Sequence, residues 1–302
     1  MAKRVSGFRS SEDAQRYFDI YDRLVQVHWP VPHEELDLTA AFGATRVRVS
    51  GSAGAVPLVL LHPTTGSSVG WYPLIATLCQ DRQVYTPDTI GGAGRSIQTE
   101  PITTGDDLAD WLGELLDQLG LDRIHLAGYS EGGWIAALYA ALSKPSGRLA
   151  SLTLIEPAGA IETVPTRFIA GMVFRAVRVL LARDKRAAVA RLNQWMNGDV
   201  ELTDGQVEML EAAMGSFRQK LPRPKRLDDD QLRRITMPTL LLLGADTKLF
   251  NPYRARDRAV SLLPAVEVEI IPDGHGVAFQ YPDLVTERLR THMRTVEGDP
   301  RE

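Results

Sequence analysis

Apolar residues follow two rhythms along this chain, and the change from one to the other marks its elements. Tyr17, Ile20, Tyr21, Leu24 and Val25 recur at helical spacing, which predicts a helix over residues 11–28 behind a cap at Ser10 or Ser11. Trp29-Pro30-Val31-Pro32 ends it, because proline disfavours helix in the residue before it and donates no hydrogen bond. Glu35–Leu38 and Thr45–Val49 read as a hairpin turned near Gly43. Leu58–Leu61 is short and wholly apolar, as expected of a strand covered on both faces. Helices and strands then alternate. A helix is expected over Trp71–Cys79, a strand over Gln83–Thr86 and a helix over Asp106–Leu119. The strand Ile124–Ala127 precedes a helix over Gly132–Leu142. Strands Leu152–Ile155, Leu240–Leu243 and Val266–Ile271 follow, and a helix from Pro282 to Met293 closes the series. This alternation predicts an α/β fold: a mostly parallel central sheet with helices on both faces.

Residues 157–238 break the rhythm. One helical pattern holds Phe168, Met172, Phe174, Val177, Val179, Leu180 and Leu181, another Val207, Leu210, Ala213 and Phe217, with no strand between them. The expectation is a core domain of 1–156 and 239–302, the N-terminal helix included, with 157–238 as a helical lid over the C-terminal edge of the sheet. The insertion holds 14 Lys/Arg and 10 Asp/Glu, so it is basic, whereas the whole chain has a formal charge of −4. The arginines and lysines from Arg175 to Arg186 read first as a solvated helix face; attraction of anionic substrates or of a membrane surface is the other reading.

At 302 residues, with 44% hydrophobic and 24% charged residues, the chain has the composition of a globular domain and no case for nucleic acid. It contains no apolar run long enough to span a membrane and no signal-peptide pattern at its start, so a cytoplasmic location is expected. A single cysteine, Cys79, excludes an internal disulfide and a cysteine-based metal cluster. A homodimer is compatible with the sequence.

Ligands of open α/β sheets bind beyond the carboxyl ends of the strands, so the residues just after each strand are the candidates for chemistry. Gly128-Tyr129-Ser130-Glu131-Gly132 places a serine on a sharp strand-to-helix turn, where glycines keep the two elements from clashing. Its bland reading is a serine that caps the helix. A serine nucleophile needs a base, and His275, in the Asp273-Gly274-His275-Gly276 loop after the last strand, is best placed of six histidines. His125 lies inside a strand and reads as a packed residue. His28, His33 and His292 belong to outer elements. The base needs an acid: Asp246, in Gly244-Ala245-Asp246, is the first choice and Glu156, ending the preceding strand, the alternative. Oxyanion donors are expected from the backbone of Glu131 and of Thr64, the latter in the loop that begins at His62. His62, Thr65, Trp71, Phe174, Leu249 and Val277 are candidates to line a substrate pocket, with Phe250 beside them.

Together, these features resemble the α/β-hydrolase superfamily from about Arg46 to Met293. Trp29-Pro30-Val31, Phe42-Gly43-Ala44-Thr45, Pro57–His62, Ser67-Ser68 with Trp71-Tyr72-Pro73, and Ala109-Asp110-Trp111-Leu112 make the chain more closely similar to bacterial carboxylesterases of the naproxen-esterase type. The resemblance implies an acyl-enzyme mechanism with Ser130 as nucleophile, His275 as base and Asp246 as acid. It implies a small carboxylic ester or related acyl compound as substrate and no metal or organic cofactor. Thioesters, lactones and carbon–carbon bonds are alternative targets of the same triad, and a non-hydrolytic small-molecule receptor on a retained pocket is the competing class. The superfamily usually has His-Gly where this chain has His62-Pro63, which leaves the second oxyanion donor open and adds the Thr64 and Thr65 hydroxyls as possible donors.

Overall fold

In the computed structural model, which describes residues 5–142, 147–198 and 200–298, one sheet carries the molecule and the expected alternation is realised in order. After the two-residue strand β1 (Gly7–Phe8) comes helix α1 (Ser11–His28), whose first turn is capped by the Ser10 side chain accepting from the Asp13 N–H at 3.1 Å. The antiparallel pair β2 (His33–Ala40) and β3 (Gly43–Ser50) leads to β4 (Leu58–Leu61), α2 (Tyr72–Leu78), β5 (Val84–Pro87) and the short β6 (Ile97–Gln98). Then follow α3 (Gly105–Gln118), β7 (Ile124–Tyr129), α4 (Glu131–Leu142) and β8 (Leu149–Ile155). Four helices come next: α5 (Thr166–Leu181), α6 (Lys185–Asn197), α7 (Asp204–Ser216), then the two-residue strand β9 (Phe217–Arg218) and α8 (Asp229–Arg233). The chain closes with β10 (Thr239–Gly244), α9 (Pro252–Leu262), β11 (Val266–Ile271), α10 (Val277–Gln280) and α11 (Pro282–Glu297).

The sheet order is β11-β10-β8-β7-β4-β5-β3-β2, with β6 beside β3 and β1 paired separately with β9. From β11 to β5 all neighbours are parallel; β3 runs antiparallel to β5, β2 and β6. Successive side chains of a strand point to opposite faces, and the all-apolar strands divide accordingly. Val59, Leu61, Leu126, Leu241 and Leu243 enter one core cluster, whereas Leu58, Leu60, Ala127, Leu240 and Leu242 enter the other. This two-sided burial is why these strands show no polar alternation.

The insertion expected from the sequence is helical, with α5 to α8 lying between β8 and β10. Helix α1 does not cover the sheet alone. Its buried residues Tyr17, Ile20, Tyr21 and Leu24 share a cluster with Met209, Ala212 and Ala213 of α7, and Arg23 pairs with Glu208. The N-terminal helix thus braces the insertion. Sequence periodicity missed α9, because its buried stripe consists of Pro252, Ala255 and Ala259 and contains no large apolar residue. Among the described residues, no helix is long and apolar enough to cross a membrane.

Candidate active site

Strand β7 delivers Ser130 to the carboxyl edge of the sheet in the left-handed region, at φ 55°. A non-glycine residue there is strained, and the surroundings hold it. The Ser130 N–H donates to Ile155 O at 2.9 Å, and its carbonyl accepts from Trp134 and Ala158, each at 3.0 Å. The flanking glycines answer to packing. A Cβ on Gly128 would come within 2.3 Å of Gly132 O, and one on Gly132 within 2.2 Å of Leu61 O. Glu131 opens α4, so its backbone N–H, like the others of that first turn, has no partner inside the helix.

His275 precedes α10 and is buried. Its ring stacks on Tyr129, 5.2 Å between centroids and 27° between planes, while the Tyr129 hydroxyl donates to His275 O at 2.5 Å. The residue before the serine therefore holds the histidine backbone and its ring together. His275 Nε2 lies 3.0 Å from Ser130 Oγ, and Nδ1 lies 2.9 Å from Glu156 Oε2.

Glu156 is the residue after β8, fully buried and also left-handed, at φ 46°. Its Oε1 accepts from the Gly244 N–H at 2.7 Å; Oε2 accepts from the Thr247 hydroxyl at 2.5 Å as well as facing His275. Without solvent, this carboxyl is held by protein partners alone. The carboxyl that faces His275 is thus that of Glu156, the alternative, and not that of Asp246, the first choice. Asp246 is exposed, and its backbone N–H donates to Asp273 O at 2.8 Å. The turn after β10, closed by Thr247 N–H on Gly244 O, directs Gly244 and Thr247 inward to Glu156, and Asp246 outward. Thr247 and Tyr129 were missed by sequence reasoning; their only signal was adjacency to Asp246 and to Ser130.

The loop after β4 differs from expectation in its hydroxyls. Gly66 N–H donates to Pro63 O at 3.0 Å, a tight turn with Thr65 at φ 59°, and the Thr65 hydroxyl donates to Thr64 O at 2.6 Å. The Thr64 hydroxyl lies against the Glu131 carboxyl. Both hydroxyls are thus engaged within the protein. Both ring nitrogens of His62 are engaged: Nε2 accepts from the Thr89 N–H at 2.9 Å, which leaves the proton on Nδ1 to donate to Pro63 O at 2.9 Å. Burial pushes the His62 pKa down, in keeping with a neutral ring that ties this loop to the one after β5. Asp88, in that second loop, accepts from the N–H groups of Ser68 and Arg95, each at 2.7 Å.

The remaining pocket candidates also separate. Trp71 and Val277 are buried in one core cluster, Leu249 and Phe250 in the other, and each contributes packing. Phe174 stands 60% exposed on α5. Glu131 is buried beside Gln219, whose Nε2 donates to the carboxyl at 3.1 and 3.4 Å; burial raises the Glu131 pKa, against the opposing effect of these bonds.

A sharp elbow serine, a histidine from the last strand loop and a buried carboxylate define a class, and the comparisons agree with it. Residues 56–280 match the model of the alpha/beta hydrolase fold, and the chain belongs to that family. Within the family it is similar to carboxylesterases of the naproxen-esterase type. The carboxylesterase nap of Bacillus subtilis (strain 168) is 30% identical over 95% of both chains, and the carboxylesterase YbfK of the same organism 28% identical over 95% of this chain and 96% of that one. The crystal structure of naproxen esterase from Bacillus subtilis superposes with a TM-score of 0.84 at 30% identity, covering 94% of this chain and 99% of that one.

Proposed function

We propose that this protein hydrolyses carboxylic esters through an acyl-enzyme formed on Ser130. Its full-length similarity to carboxylesterases makes it a carboxylesterase-type hydrolase. The finer reading rests on one observation: His275 bridges Ser130 Oγ at 3.0 Å and Glu156 Oε2 at 2.9 Å. His275 Nε2 takes the hydroxyl proton as Ser130 Oγ bonds to the ester carbonyl carbon. Glu156 fixes the tautomer with the proton on Nδ1 and stabilises the imidazolium. The backbone N–H groups of Glu131 and Thr64 receive the oxyanion, and the imidazolium returns its proton to the leaving alcohol. Water, deprotonated by the same histidine, then releases the acid. In this reading α5 to α8 form a lid, and small esters are the substrates.

The experiment is labelling by a fluorophosphonate probe together with turnover of p-nitrophenyl acetate. The expected result is one label on Ser130 and loss of both labelling and turnover in Ser130→Ala. Undiminished turnover in that variant overturns the reading.

A further inference from the structure

Helix α5 carries an apolar face that no part of the described chain covers. Of the eleven large apolar side chains exposed among the described residues, six lie on this helix: Ile169, Val173, Phe174, Val177, Leu180 and Leu181, between 42% and 80% exposed. At about 100° per residue they fall within a sector of roughly 140°. Phe168 and Val179, which the helix does bury, lie on the opposite side, so the exposed stripe points away from the body of the protein. Arg167 and Arg178 run along one edge of the stripe, and the helix holds no acidic residue.

The charge around it is one-sided. Residues 165–197 contain seven arginines and lysines and a single acid, Asp184, which is occupied in capping α6 through the Ala187 N–H at 2.9 Å. Only Arg186 of the seven forms an ion pair among the described residues, with Asp204. Beneath the stripe a recess of about 720 Å³ is lined by Arg175, Arg178, Arg191 and Lys248 together with Leu181 and Trp195, and by no carboxylate. Arg175 lies over the Trp195 ring at 4.1 Å, and Lys248 donates to Trp195 O at 2.9 Å, so this floor is built. Two copies meeting through this face would set like charges against each other.

We propose that α5 and the recess behind it form a docking surface for an anionic lipid bilayer. The stripe enters the boundary between headgroups and acyl chains, and the arginines with Lys248 take the negatively charged headgroups.

Co-sedimentation with vesicles tests this in the full-length protein. Vesicles of phosphatidylglycerol with phosphatidylcholine are expected to retain the protein at low salt, far better than phosphatidylcholine alone and far less at 0.5 M salt. Val177→Asp with Leu181→Asp lowers the partition coefficient at least tenfold. Arg178→Ala with Arg191→Ala lowers it roughly thirtyfold. Circular dichroism and p-nitrophenyl acetate turnover of both variants are expected to match the parent, which keeps this test separate from that of the catalytic reading. Equal retention on neutral and anionic vesicles, or full retention by the Val177 and Leu181 variant, overturns the proposal. So does a dimer in sedimentation equilibrium that this variant dissolves, which assigns the face to a second copy. Lost turnover in a folded variant assigns it to substrate access and overturns the proposal equally.

Discussion

Glu156 and His275 face each other at 2.9 Å, carboxyl oxygen to Nδ1, although 119 residues separate them in the chain. Neutralising this carboxylate leaves the wrong tautomer free to form. Glu156→Gln is expected to lower kcat/KM for p-nitrophenyl acetate by about 10³–10⁴-fold, and Asp246→Asn by no more than about twofold. Steady-state kinetics on the two variants decide the matter, and the opposite ranking would return the acid to Asp246.

The hydroxyl of Thr247 is, among the described residues, the one side-chain hydroxyl that donates to Glu156, beside the backbone N–H of Gly244. A hydrogen bond to a charged group contributes about 1.5–3 kcal/mol, so Thr247→Val should lower kcat/KM by about tenfold or more. Thr247→Ser keeps the donor and should recover most of the rate. Equal losses in both variants would mean that packing, not the hydroxyl, matters here.

His125 is the second residue of the central strand β7, with Nδ1 2.7 Å from Ser151 Oγ and Nε2 3.1 Å from Glu297, which also pairs with Arg82. Burial lowers its pKa from 6.5 to about 4. The unfolded chain therefore takes up this proton before the folded one does, and its contribution to stability falls as pH drops from about 6.5 to about 4. Urea unfolding across that window should show a steeper acid loss in the parent than in His125→Gln. Similar slopes would place the acid sensitivity in other groups.

Glu297 is one partner of two buried groups at once: Arg82, which also holds Asp81 and Val56 O, and His125, which also holds Ser151. Arg82 is 1% exposed, and its Nη1 donates to Glu297 at 3.0 Å. Glu297→Ala should destabilise the fold by about 1–3 kcal/mol, read as a lower urea midpoint with an unchanged slope. A midpoint close to the parent's would show that solvent takes over both groups.

Glu131 has the opposite pH signature. Its pKa is raised by burial, so the folded protein holds the proton longer than the unfolded chain, and stability declines as pH rises above the ordinary carboxyl range through the raised value. Glu131→Gln should raise Tm by about 2–4 °C near pH 8, and by less near pH 4. A variant that melts lower at pH 8 would show that the ionised carboxyl is needed there.

The central strands were legible because leucine and valine runs bounded by turn residues have few other solutions in an α/β chain. Leu58–Leu61 and Val266–Ile271 occupy the expected residues. The elbow was legible for the same reason: Gly128 and Gly132 are dictated by backbone contacts local to the motif. The acid was not. Asp246 and Glu156 both follow strands, and the choice turns on whether a tight turn points its second or its third residue inward, a detail without periodicity. The pocket candidates are not separated by sequence either. Trp71, Leu249 and Val277 are apolar residues near the right strand ends, but apolarity alone does not separate a wall from the core behind it.

The bracing of α7 by α1 sets a schedule for synthesis. Arg23 and Glu208 lie 185 residues apart, so on a ribosome adding about 5–20 residues per second α1 waits roughly 10–40 seconds for its partner. Throughout that interval Tyr17, Ile20, Tyr21 and Leu24 have nothing of α7 to close over them. The first long helix made thus keeps part of its apolar face uncovered until the insertion has been synthesised.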